Sequence, residues 1–483
     1  MNHRGGNGND LDLVAIARRV LTENGFDPEM PNGIERTFAE EDPVDGVEDL
    51  RRLPWSSIDN HDSRDLDQVE VAERLEGGAI RMMIGIADVD ALVPRDSPVD
   101  VYARTNTATL YTGVHIFPML PEELSTDRTS LLPDVDRLVI VTEMIIREDG
   151  SLDDRATRIY PALVRNHAKL VYEKVGAWLE EAGPPPEDTV IADQVVLHDE
   201  VAQRLRKHRY EKGALDLETI EARPVTKDGR IVDLVLTHKN RARELVEDLM
   251  IGANGATAKF LESAGYSSIR RVVRAPKRWD RIVELARIMG ATLPVEPDAP
   301  ALSDFLAERR QTDPTRFADL SLSVVKLLGP GEYVLQRAAD PDTGHFGLAV
   351  EDYAHSTAPN RRYPDLITQR LLKAAARKER QPYSDDELTA IAAHCTEREN
   401  AARKVERTMR KVAAAVLLSS RIGDEFDGVI TGATPKGTYA RLFRPPAEGR
   451  VVTGERGLDV GDKVRVRLVD TNPQRGFIDF AAI

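Results

Sequence analysis

Cysteine is almost missing from this 483-residue chain, where Cys395 stands alone. One thiol excludes an internal disulfide and a cysteine-built zinc cluster. Long apolar runs are missing too, since none approaches the ~20 residues that a membrane-spanning helix needs. No membrane partner is therefore expected. The opening residues, M-N-H-R-G-G-N-G-N-D, hold none of the apolar stretch that directs secretion. A cytoplasmic protein is the resulting expectation. Positive charge is in deficit: 66 Lys and Arg stand against 81 Asp and Glu, a formal net charge of −15. That balance is awkward for a nucleic-acid binder, because phosphate contacts draw on Lys and Arg. It does not forbid a basic channel, since the local field and not the total governs binding.

What is present is length enough for two to four domains, with 41% hydrophobic and 30% charged residues, as in an ordinary globular chain. Arginine is locally dense at Ile269–Arg281 and at Arg398–Arg410, stretches that read equally as solvated faces or as phosphate contacts. The segment Ser57–Asp67, S-I-D-N-H-D-S-R-D-L-D, draws the eye most. Asp59, Asp62, Asp65 and Asp67 fall within nine residues with only Arg64 to offset them. Crowding that much negative charge costs Coulomb energy at close range. A hard divalent ion with oxygen-only ligands, magnesium or manganese, would remove the penalty. An acidic surface loop is the plainer reading of that segment alone.

Other stretches tip the balance. An apolar run, M-M-I-G-I-A-D-V at Met82–Val89, follows the acids. Then come T-L-Y-T-G-V-H-I-F-P-M-L-P at Thr109–Pro121 and Y-A-H-S-T-A-P-N-R-R-Y-P-D at Tyr353–Asp365. In this order and spacing they resemble the RNB catalytic domain of the ribonuclease II and ribonuclease R family, over about Leu53–Ala376. The resemblance implies an α+β fold, an RNB domain followed by an OB-type β-barrel. Residues 1–49 then form an N-terminal helix and linker, with Asp10–Asn24 helical and the Gly- and Asn-rich residues 1–8 disordered. Residues 50–384 form the catalytic domain, 385–421 a charged helix capped by Ser384 and Glu387, and 422–483 the barrel. About fifty residues precede the catalytic domain, too few for the cold-shock-like domains that the large family members carry there. Within these bounds Ala168–Leu179, Ala192–Lys212 and Arg241–Glu262 read as helices. Ile231–Leu236 reads as a strand after an Asp228-Gly229 turn. Five short strands after Glu425 suit a small barrel.

The same resemblance implies roles. Asp59, Asp65 and Asp67 match the family's metal-binding and catalytic aspartates, with Asp67 the one most directly tied to cleavage. Where the family places a further magnesium-binding aspartate, this chain has Gln68, whose carbonyl can ligate but brings no charge. Arg361 matches the arginine that grips the scissile phosphate, a task suited to its planar fork. Arg362 and Tyr363 belong to the same motif, with Tyr363 structural. Glu247 matches a glutamate near the last nucleotides. Tyr111 matches the ring that closes one end of the stacked 3′-terminal bases, and Leu217 stands where the family has a second clamping aromatic. In the barrel, Tyr439 and Phe443 offer stacking faces, Phe443 fitting the barrel core better. Asp62 matches no family motif residue, Asp88 fits the family but reads as a structurally satisfied strand-end aspartate, and His115 and His345 read as packed residues. The implied function is a magnesium-dependent (or manganese-dependent) monomeric 3′-to-5′ exoribonuclease that hydrolyses single-stranded RNA to nucleoside 5′-monophosphates. The rival is an RNA-binding protein on the same fold whose catalysis is weakened at Gln68. A phosphodiesterase acting on other substrates is a third reading.

Overall fold

The structure, a computed structural model, describes residues 11–39, 47–218, 221–227, 230–237, 239–341, 344–434 and 437–483. The Gly- and Asn-rich start and the Asp228-Gly229 turn lie outside them. No helix among the described residues is long and apolar enough to cross a membrane.

Short apolar runs broken by polar turns build the large sheet. Its strands are β1 (Glu48–Asp49), β2 (Ser56–Asp59), β3 (Gln68–Arg74), β4 (Ile80–Ala87), β7 (Asp136–Ile146), β8 (Arg158–Arg165) and β9 (Ala168–Val171). A separate small ribbon pairs β5 (Leu110–Tyr111) with β6 (Ile116–Phe117). The sheet order is β1-β8-β7-β4-β3-β2-β9, antiparallel inside and parallel at both edges. The interior strand β3 is covered on both faces, so its alternation divides two cores. Val69 and Val71 join one core with Trp55, Leu66 and the helix Tyr363–Ala376. Ala72 joins the other with the helices Thr189–Glu211 and Arg241–Ser263.

One expected helix is shorter than its sequence suggests. Only Tyr172–Leu179 of the Ala168–Leu179 stretch is helical. Ala168–Val171 pair in parallel with β2 instead, from Ser56 opposite Ala168 to Asp59 opposite Val171. The open edge of β2 offers hydrogen bonds that a short helix start cannot match, and Leu170-Val171 suit a strand. The pairing brings Tyr172 beside the acid-bearing end of β2.

The chain closes with a five-stranded barrel: Glu425–Thr434, Gly437–Leu442, Glu448–Thr453, Lys463–Asn472 and Phe477–Ala482. The helix Asp385–Leu418 opens with the capping box of Ser384 and Glu387. Its first half packs Leu388, Ala392 and Cys395 into the sheet core. Its second half shares one apolar cluster with the N-terminal helix Leu13–Glu23 and the barrel interior. Arg441 of the barrel also pairs with Asp319 at 2.8 Å. Phe443 departs from its assignment to the barrel core and is half exposed. Alternation points Ala440 and Leu442 inward and Tyr439 and Arg441 out, and Phe443 lies in the bend just past the strand.

Burial has a cost that acid exposes. His198, in the helix Thr189–Glu211, is 1% exposed, and its Nε2 has no partner among the described residues. Burial pushes its pKa down to about 3. An imidazole pKa depressed by burial costs nothing above the unfolded value of about 6.5, where both states are neutral, and destabilises the fold as pH falls below it. The protein should therefore lose ~2 kcal/mol through this residue between pH 7.5 and pH 5. Urea unfolding at both pH values checks it. His198→Leu should shrink the difference, and an unchanged difference would refute the assignment.

Candidate active site

The acidic segment is a loop between β2 and β3, pinned from several sides. Ser130 Oγ accepts from Leu66 N at 3.0 Å and donates to Arg64 O at 2.6 Å. Lys169 Nζ donates to His61 O at 3.1 Å. Leu66 is buried in the sheet core and acts as the anchor between the two aspartates beside it. The loop lines a cleft of about 780 Å³ with Asp59, Asp62, Asp65, Asp67, Gln68, Tyr111, Arg243 and Arg361.

Asp67 is the buried member, 2% exposed. Its Oδ1 accepts from Asn360 N at 3.1 Å and its Oδ2 from Arg361 Nε at 2.9 Å. Burial pushes its pKa up to about 6; the Asp65 charge adds to the rise, and the Arg361 guanidinium opposes it. Residues 358–365 form a turn held by Ala358 N donating to Asp365 Oδ1 at 2.9 Å. Thr109 N donates to Arg361 O at 3.0 Å, tying that turn to the segment before Tyr111. Two segments nearly 300 residues apart thus meet on one carboxylate. With Nε committed to Asp67, the terminal nitrogens of Arg361 have no partner among the described residues.

Tyr111 donates from its hydroxyl to Asp65 Oδ2 at 2.9 Å, and its ring is 42% exposed. Burial of the hydroxyl and the Asp65 charge hold its pKa above the usual phenol range. Gly113, at φ +79°, turns the loop after it, and a Cβ there would meet Pro224 Cγ at 2.5 Å. Only glycine fits both demands. Asp59 Oδ1 accepts from Asn60 N at 2.6 Å and Ser63 Oγ at 2.7 Å. Gln68 opens β3 and is nearly buried. Two residues on, Glu70 is 1% exposed, and neither of its carboxylate oxygens has a hydrogen-bond partner among the described residues. Burial, with the Asp59 charge adding to it, pushes its pKa up to about 8.

Other assigned residues lie elsewhere. Glu247 and Leu217 line a second cleft of about 530 Å³ with Arg206, Arg209, Lys239 and Arg271. The helix Arg241–Ser263 separates the two clefts: Arg243, Val246 and Met250 face the first, and Glu244, Glu247 and Asp248 the second. Glu247 pairs with Lys239 at 2.6 Å. Leu217 packs at the edge of an apolar cluster built by the helices Trp279–Ile288, Ala299–Thr312 and Pro314–Leu328. Arg362 turns away from the first cleft and pairs with Asp365 at 2.7 Å. Tyr439 stands on the barrel exterior opposite Arg450. Tyr363 is buried in the sheet core, and Asp88 caps a short turn while pairing with Lys373 at 3.0 Å. His115 packs edge-on against Phe117, with ring centres 4.7 Å apart. Sequence reasoning missed Tyr172, Arg243 and Arg223 in the first cleft, which Arg410 of the arginine-dense stretch Arg398–Arg410 also lines. Arg243 lies over the Tyr172 ring at 4.4 Å and donates to Asn60 Oδ1 at 3.0 Å. Its one local signal was the position just inside the helix cap at Asn240.

The donor set suits a hard cation: carboxylates, one amide and no sulfur or imidazole. As the side chains lie, no three His, Cys, Asp or Glu residues among those described are gathered closely enough to hold an ion. Asp59 is engaged by Ser63 and Asp67 by Arg361. The orphaned oxygens of Glu70, on which the Asp59 charge acts, are spare acceptors. The residues fit such an ion in kind.

A mixed sheet carrying an acid-and-arginine cleft, followed by a closed five-stranded barrel, defines the class as a mixed α/β domain joined to an OB-type barrel. Residues 47–378 match the RNB domain, and residues 424–483 match the RNase II-type exonuclease C-terminal S1 domain. The chain belongs to the RNB-domain exoribonuclease family. It is 30% identical to ribonuclease R of Escherichia coli strain K12 over 94% of its own length and 60% of that protein's. The chain therefore spans about three fifths of that relative's length. Its fold is similar to that of Mycoplasma genitalium RNase R in complex with ribose methylated single-stranded RNA. That match has TM-score 0.87, 22% identity, and coverage of 98% of this chain and 78% of the other. It is also similar to yeast Ssd1, a pseudonuclease, at TM-score 0.70 and 15% identity, covering 92% of this chain and 56% of the other.

Proposed function

We propose that this chain is a metal-dependent 3′-to-5′ exoribonuclease acting on single-stranded RNA and releasing nucleoside 5′-monophosphates. The observation that carries the reading is the junction of Asp67 with Arg361 inside an acid-lined cleft. Asp59, Asp65, Asp67 and Gln68 would hold magnesium or manganese, which supplies charge neutralisation and a water activated for attack. Asp67 holds Arg361 by Nε, so the guanidinium keeps its two terminal NH2 groups for phosphate oxygens. Tyr111 steadies Asp65 through its hydroxyl and offers its ring to a terminal base. The similarity to an RNA-bound ribonuclease R supports single-stranded RNA as the substrate class. A 5′-labelled strand tests direction: shortening from the 3′ end supports the reading, and internal cuts oppose it. A 3′-phosphate should block the reaction.

The second reading, an RNA-binding protein with weakened catalysis, is favoured by Gln68 and by the similarity to a pseudonuclease. Tyr111→Ala bears on the clamp. Loss of one stacking face, ~1–3 kcal/mol, should lengthen the limit product by a nucleotide or more, as read on a sequencing gel. An unchanged limit product for Tyr111→Ala would disprove its place in the clamp.

A further inference from the structure

We infer that Glu70 supplies the carboxylate that Gln68 does not, so that the cation site of the proposed exoribonuclease draws its fourth acid from one strand step deeper. The inference rests on that functional reading and deepens it. Residues two apart on a strand share a face. Gln68 lines the cleft, so Glu70, two residues further along the strand, points to the same side and is buried. Asp59, whose charge acts on Glu70, and Tyr172, on which the Glu70 charge acts, both line that cleft. Val246 and Met250 close the space from the helix side.

Glu70 has no structural use that explains it. Both oxygens are buried and unpartnered among the described residues, as is the hydroxyl of Ser56, which stands opposite it in the ladder. A buried carboxylate without a partner is costly, and an apolar side chain would pack there at no such cost. A divalent cation between Asp59, Gln68 and Glu70 gives those oxygens their partner and restores the charge count of a four-acid site.

The test uses manganese alone as the probe, with free ion followed by its paramagnetic resonance signal, on the full chain without RNA. Wild type should bind Mn2+, and Glu70→Gln and Glu70→Leu should weaken binding tenfold or more. Adding Gln68→Asp to Glu70→Gln should return affinity to within threefold of wild type. In EDTA both single variants should melt at the wild-type temperature or above, because they remove an unpartnered acid. That result shows that the loss of binding is not a loss of fold. Mn2+ affinity within twofold of wild type in both variants overturns the inference, and so does a wild type that binds no Mn2+. RNA cleavage measured in parallel separates the two ideas. A wild type that cleaves while Glu70→Gln binds Mn2+ normally leaves the function standing and removes Glu70. A wild type that binds Mn2+ through Glu70 but never cleaves removes the function and leaves the site.

Discussion

Asp67→Asn is expected to reduce RNA cleavage by ~100- to 1,000-fold, the range for loss of one preorganised electrostatic group, with the fold intact. The residue is 2% exposed and lies beside Asp65, which helps to raise its pKa to about 6. A neutral isostere removes that repulsion while its amide oxygen still accepts from Asn360 N or Arg361 Nε. Thermal midpoints should match wild type within a few degrees, whereas single-turnover cleavage of labelled RNA should collapse. Cleavage within tenfold of wild type would mean that Asp67 only anchors the Arg361 turn.

Arg361→Ala is expected to cost ~100- to 1,000-fold in turnover, the range for loss of one preorganised charge-stabilising group. RNA affinity should change far less, because the contact is wanted most where charge develops on the phosphate. The bond from Nε to Asp67 Oδ2 at 2.9 Å fixes the plane of the fork. Arg361→Lys should therefore rescue little, since an ammonium cannot hold Asp67 and grip a phosphate bidentately. Weaker binding with unchanged turnover would make Arg361 a binding residue instead. Filter binding and single-turnover rates, run on the same preparations, separate the two cases.

The acidic loop was legible in sequence because its residues are neighbours, and crowded charge is a local signal. The Arg361 motif was legible only through resemblance, because its contact with Asp67 spans nearly 300 residues. Ala168–Val171 were misread because local helical spacing carries no trace of the open β2 edge that captures them. Phe443 was misread because the turn of the barrel, and not its apolar character, decides which way it faces. Glu70 gave no signal at all. Q-V-E-V-A alternates polar and apolar residues as any half-solvated strand does, and only the helices packed over β3 bury the acid. Leu217 and Tyr111 look like two ends of one clamp in sequence order, yet the helix Arg241–Ser263 stands between their clefts.

The most direct measurement is incubation of the purified chain with 5′-labelled single-stranded RNA and magnesium, with and without EDTA, followed by separation of the products. The account predicts a ladder that shortens from the 3′ end, nucleoside 5′-monophosphates as the released product, and no shortening in EDTA. RNA that is bound but stays full length in magnesium and in manganese would contradict it, as would shortening that EDTA leaves undiminished.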